Sequence, residues 1–244
     1  MRKNGLILCD LKNDCSDAIM LSLSCETDKI SKSGKFNELG LLIKENLFEM
    51  YPDELSEIYT LPLLTEFEGF DKDPFWKDCE LLEDAIDKVA NYTKENINIE
   101  FYKSLRVNIG RDQYKIFSHV NHLTNAASAV LIYSPNFNIA DKKENAMNAA
   151  HLVAREIANT NPLCLHSYII SPSILDDVRL RALREAKEQR LDEAADEYAT
   201  QSIRKFMETT VLDEQTTKSG IKLSKIILDN KLVCPGDFVR FELK

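Results

Sequence analysis

Glycine is scarce in this chain, seven among 244 residues, and none falls in a G-x-G-x-x-G turn, a Walker-type loop or the G-x-S-x-G elbow of a serine hydrolase. Dinucleotide, phosphoryl and acyl-transfer chemistry thereby lose their usual sequence marks. Histidine is scarcer still, four residues, with no H-E-x-x-H pair. His119 and His122 bracket the tip of an expected hairpin, where solvated turn residues explain them better than a metal ion does. No metal, no cofactor and no enzymatic activity is expected. Runs of Lys and Arg are also missing, and 31 basic against 40 acidic residues leave a net charge of −9, so direct binding to nucleic acid is not expected.

The six cysteines, Cys9, Cys15, Cys25, Cys79, Cys164 and Cys234, contain no C-x-x-C. Free thiols in a chain of this length fit a reducing compartment. No stretch approaches the roughly 18 consecutive apolar residues of a membrane span. Met1 to Gly5 leads so directly into strand residues that no signal or transit peptide is expected in the sequence as it stands.

What the chain does have is apolar periodicity, with 44% hydrophobic residues to build a core. The stretch from Ile19 to Lys29 organises the rest. Ile19, Leu21 and Leu23 alternate with Met20, Ser22 and Ser24 as a two-faced strand that runs straight into Glu26, Thr27 and Asp28. Glu26 and Asp28 lack the surrounding groups that acid–base chemistry needs, so a partner-facing tip is the better reading.

Residues 5 to 25 predict a hairpin, with Asn13 and Asp14 as turn formers. Amphipathic helices are expected over 35–50 and 78–96, separated by a loop from Tyr51 to Pro74, and a strand over 97–105. The order then repeats: a second hairpin over 113–134, a helix from Asp141 to Asn159 stopped by Pro162, a helical arm from about 174 to 208, a short helix over 222–229 and a strand over 238–243. Alternating charges in the arm predict intrahelical ion pairs, and alanines between Ala182 and Ala195 fit a projecting helix or a helical hairpin. The expected fold class is therefore α+β: two related subdomains, 1–108 and 109–244, each an antiparallel three-stranded sheet packed with helices, plus the projection.

Ser24-Cys25-Glu26-Thr27-Asp28 after an apolar strand resembles the N-C-E-T-D-F-V-A signature of the elongation factor Ts family. Lys94-Glu95-Asn96-Ile97-Asn98-Ile99 is similar to the family's G-E-N-I-x-I-R-R, and Phe117-Ser118-His119 stands where it has Y-x-H. Ala158 to Pro162 resembles A-A-x-x-P, Lys205-Phe206 through Gln215 resembles K-F-x-x-E-x-x-L-L-x-Q, and Phe238-Val239-Arg240-Phe241-Glu242 is close to the terminal F-x-R-F-x-V. The resemblance implies the duplicated core and a partner, the GTPase elongation factor Tu, from which GDP is released during translation elongation. Carried over by motif, the implied partner-binding residues are Cys25, Glu26, Thr27, Asp28, Lys29, His119, Arg155 and Glu156.

Three departures accompany the likeness. Lys29 stands where the family has the Phe that wedges into the partner's G domain. Arg155-Glu156-Ile157-Ala158-Asn159 replaces M-H-I/V-A-A, and the family's N-terminal helical module is expected to be absent. An ammonium in an apolar cleft is costly unless it meets a carboxylate, so the expected exchange activity is weakened. The alternative is the same fold recruited as a structural subunit of a mitochondrial ribosome or respiratory assembly. The mitochondrial matrix is expected ahead of a bacterial-type cytosol.

Overall fold

The computed structural model describes residues 4–12, 15–67, 70, 73–107, 113–234 and 238–243. The turn formers Asn13 and Asp14, and the 108/109 boundary between the expected subdomains, lie outside them. The architecture is α+β, with two three-stranded sheets and helices packed against them, as the alternation of short strands and amphipathic stretches implies. Its contacts gather into two compact units, residues 1–130 with 239–244 and residues 131–238. Compactness thus divides the chain at a different place from the repeat in element order.

In the first unit, β1 (Asn4–Lys12), β2 (Asp17–Cys25) and β3 (Asn98–Arg106) form an antiparallel sheet with β2 in the centre. The register pairs Leu6 with Leu23 and Leu8 with Leu21, and breaks at a bulge by Ser22 and Leu23 on the β3 side. Alternation like that of β2 commonly leaves one face of an antiparallel strand buried and the other solvated. Instead every residue from Asp17 to Cys25 is buried, because helices cover one side and β4 (Tyr114–Asn121) also lies against β1 and β2. Cys9 Sγ reaches Ser128 O at 3.6 Å, and the rings of Phe101 and Phe241 stack at 4.5 Å.

A four-residue helix, α1 (Asp28–Ser31), is followed by α2 (Gly34–Met50), which begins on Ser33, whose hydroxyl accepts from the Phe36 N–H at 3.4 Å. Phe36, Leu39, Leu42, Ile43 and Leu47 are fully buried on the sheet, each contributing about 1.5–3 kcal/mol. Gly40 lets α2 approach closely: a Cβ there would stand 2.5 Å from Leu6 Cδ2.

The expected loop after α2 carries the turn α3 (Leu55–Ile58) and is fastened rather than loose. Buried Asn46 donates to Leu42 O and Leu64 O at 2.9 and 3.0 Å and accepts from Leu64 N at 2.7 Å. Trp76 is buried beneath it. Lys35 binds Asp73 and Glu38 at 2.6 and 2.7 Å and lies 4.8 Å from the Phe75 ring centre.

The next helix, α4 (Leu82–Thr93), is four residues shorter at its start than the pattern suggested, since Asp84 caps it by accepting from the backbone of Glu80 and Leu81. Tyr92, near its end and one turn on from Val89, is 67% exposed and meets the edge of Phe75.

The second sheet has the order β4-β5-β6, with β5 at Ala126–Tyr133 and β6 at Phe238–Glu242. Within the second unit, α5 (Ala140–Thr160) buries Ala146, Ala150, Val153 and Ile157 and packs on the 3-10 turn Pro135–Asn138 and on α8 (Leu223–Asp229). It ends at left-handed Asn161, before Pro162.

The arm is a helical hairpin. The helices α6 (Pro172–Glu188) and α7 (Ala195–Thr210) pack through Ala182, Ala186 and Ala199, and Arg190 at φ 58° turns the chain between them. Its charges consequently pair across helices as well as along them: Arg179 meets Asp196 at 3.2 Å, and the Tyr198 hydroxyl donates to Glu185 at 3.2 Å, beside the i,i+4 pair Arg204–Glu208.

Candidate docking site

β2 carries the chain from a fully buried strand to a fully exposed tip within one residue: Cys25 is 7% exposed, while Glu26, Thr27, Asp28 and Lys29 are all in solvent. A tip this exposed is disordered unless something ties it down. Here the second motif holds the first.

Glu95 lies just beyond α4, after Lys94, whose φ of 62° closes that helix. Its Oε2 accepts the backbone N–H of Glu26 at 3.0 Å and of Thr27 at 2.9 Å, and its Oε1 accepts a short hydrogen bond from Thr27 Oγ1. The grip is returned, because Glu26 Oε1 accepts from Asn96 N at 3.2 Å and Asn96 Nδ2 at 2.6 Å. Asn4 Nδ2 donates to Glu26 O at 2.8 Å from the other side. Charge-assisted bonds of this kind are stronger than neutral ones.

Thr27 thereby becomes the N-cap of α1: its hydroxyl oxygen also accepts from Ile30 N at 3.4 Å. Asp28 pairs with Lys32 at 2.6 Å. Glu26 and Asp28 so point to different partners and form no acid–base pair. Lys29 has no hydrogen bond or ion pair among the described residues. Below the tip, Cys25 Sγ donates to Thr27 O at 3.3 Å, and burial, reinforced by the Glu95 charge, pushes the thiol pKa up to about 11. Cys25 therefore supports the tip as a neutral group and is no nucleophile at neutral pH.

The other sequence-assigned residues lie elsewhere. His119 is half-buried on β4 in the first unit and is engaged with a neighbour. Arg155 and Glu156 lie on α5 in the second unit, where Arg155 Nε and Nη2 donate to Glu156 Oε1 at 3.2 and 3.1 Å. Glu95 and Asn96 were not among the assigned residues. The signal for them was present, since both belong to the quoted K-E-N-I-N-I stretch. Their role needed the pairing of β2 with β3 across some 69 positions of sequence.

Two three-stranded sheets packed with helices, bearing an exposed strand tip wired from behind, define an α+β protein with an ordered, solvent-facing tip. The chain belongs to the elongation factor Ts family, whose model matches residues 26–243. Elongation factor Ts of Halothermothrix orenii is 24% identical over 251 aligned residues, an alignment covering 98% of this chain and 73% of that protein.

Proposed function

We propose that this protein is a guanine-nucleotide exchange factor for elongation factor Tu and that it engages its partner through Glu26 to Lys29. Membership of the elongation factor Ts family supports the reading, and the observation that carries it is the clamp from Glu95 and Asn96, which orders an otherwise solvated tip. An ordered tip does not have to lose its backbone freedom on docking, a cost of about 1–2 kcal/mol per residue.

An exchange factor makes and breaks no covalent bond. It releases GDP only to the extent that it binds the empty GTPase more tightly than the loaded one. Lys29, exposed and without an ion pair among the described residues, is assigned the outermost contact, with a carboxylate of the partner as its counter-ion. His119, Arg155 and Glu156 are assigned supporting contacts.

The test is release of fluorescently labelled GDP from purified elongation factor Tu. Saturable acceleration is expected, lowered by Lys29→Glu. No acceleration at saturating protein removes the reading.

A further inference from the structure

The turn between β4 and β5 carries the most exposed large apolar side chain among the described residues: Leu123 is 90% in solvent, between exposed His122 and Thr124. The turn is nonetheless ordered. Asn121 Oδ1 accepts the N–H groups of Leu123 at 3.0 Å and of Thr124 at 3.3 Å, an Asx turn, and Asn125 closes it at φ 50°. Contacts between the two sheets fix where it points, all of them within the first unit. Cys9 of β1 reaches Ser128 O of β5, and further back along β1 a Cβ on Gly5 would stand 2.8 Å from Leu243 Cδ2. Leu243 N in turn donates to Asn125 O at 2.9 Å. The path from Cys9 to Gly5 therefore follows the path from Ser128 to Asn125, and Gly5 pairs with Ser24, next to Cys25. The turn that carries Leu123 and the tip from Glu26 to Lys29 leave the unit at the same end.

We infer that Leu123 is the apolar anchor of the docking surface whose polar part is Glu26 to Lys29, and that it buries against the same GTPase; the inference rests on the function proposed above. The tip itself offers solvent only two carboxylates, a hydroxyl and an ammonium, and Ile30, which follows it, packs on the core. Exposed charges contribute little to affinity once salt screens them, and a docking surface joins an apolar centre to a polar rim. Leu123 supplies that centre at the end where the tip supplies the rim. A lone surface leucine is ordinary, whereas this one is held out by an ordered turn alongside a second ordered tip. Because Asn121 already fixes the turn, little backbone freedom is left to lose on docking. A buried leucine holds a partner by area and aims no group at the nucleotide, so its contribution is read in the concentration needed for half-maximal release and not in the plateau.

The test is release of labelled GDP from purified elongation factor Tu, titrated with the full chain and its variants. Leu123→Asp is expected to raise the concentration for half-maximal release about tenfold, roughly 1.4 kcal/mol, with the plateau kept, Leu123→Ala to raise it about threefold, and Leu123→Met to restore the parent value. Leu180→Asp makes the same change of charge at an exposed leucine of α6, in the second unit, and is expected to leave that concentration unchanged. In leucine methyl NMR, nucleotide-free elongation factor Tu is expected to shift the Leu123 signal. Release that the parent accelerates and that Leu123→Asp leaves at the parent concentration overturns this inference while the exchange function stands. An equal loss in Leu180→Asp does the same. No acceleration by the parent removes both. A dimer in sedimentation velocity that Leu123→Asp dissolves makes a second copy of this chain the occupant, and overturns the inference as well.

Discussion

Glu95 at the tip of the first unit and Asp213 beside His166 in the second are carboxylates built into the fold in opposite ways. Glu95, half-buried at the edge of the solvent, accepts three hydrogen bonds from Glu26 and Thr27. Asp213 stands in an apolar wall and has one oxygen with no partner among the described residues. A polar group in water needs no partner, so the Glu95 network exists for the geometry it imposes on its neighbours. A polar group short of partners in an apolar place is instead a reservoir of unused interaction.

The largest expected effect attacks what the two units share, a buried thiol in each. Burial pushes Cys25 up to about 11 and Cys234, beside Val233, up to about 12. The folded protein keeps these thiols neutral, while the unfolded chain ionises them near the ordinary value of about 8.5–9. Their support is therefore complete below pH 8.5 and is lost as pH rises through 11 and 12. Denaturation midpoints measured from pH 8 to 11.5 are expected to fall steadily. A Cys25→Ala, Cys234→Ala double variant should show a visibly shallower fall, and an unchanged slope would place the alkaline loss elsewhere.

Next in size is Glu95→Ala, which breaks the comparison on the tip side. Losing three charge-assisted hydrogen bonds at a half-buried site is expected to lower global stability by about 1 kcal/mol. The stimulated rate of GDP release should fall about tenfold, and amide exchange at Glu26 and Thr27 should rise, in the absence of any partner. Glu95→Gln keeps an acceptor for the two backbone N–H groups and a donor for Thr27 Oγ1, so it is expected to recover most of both signals. Faster amide exchange with an unchanged exchange rate would separate tip order from function.

Asp213→Asn is the matching change in the second unit, and the comparison predicts a different result. Removing an under-satisfied charge should leave stability within about 1 kcal/mol of the parent, with gain as possible as loss, because His166 keeps an acceptor. A loss as large as that for a buried paired charge, about 3–5 kcal/mol, would mean that Oδ1 is satisfied in solution and that the contrast between the regions fails.

Much of this was legible from periodicity alone. Hairpin, helix and strand follow in the anticipated order because alternation and 3.6-residue spacing are local properties. What periodicity could not reveal was the second covering of β2, since burial of both faces depends on β4 arriving from far along the chain. A helical hairpin was one of the two expectations for the arm, but the place of its break was unmarked, because residues 189–194 contain neither Gly nor Pro and Arg190 makes the turn without either. The tip was visible as a motif. Its clamp was not, because the side chains converge from segments that only the folded chain brings together.

The smallest expected effect follows from the scarcity of glycine. Helix α4 closes on Lys94 at φ 62°, a left-handed position that costs a side chain roughly 1 kcal/mol and costs glycine almost nothing. The similar family stretch begins G-E-N-I, with Gly at this position, so the chain accepts strain one residue before the glutamate that holds the tip. Lys94→Gly relieves the strain, adds backbone freedom to the unfolded chain, and removes a cation from a helix C-terminus, where it contributes some 0.3–1 kcal/mol. The balance is a gain of about 0.5 kcal/mol or less in urea denaturation, with amide exchange at Glu26 and Thr27 unchanged. If exchange at the tip changes while stability does not, the left-handed lysine is tuning the clamp rather than merely ending the helix, and the rigidity of the tip is set from the α4 side of the loop.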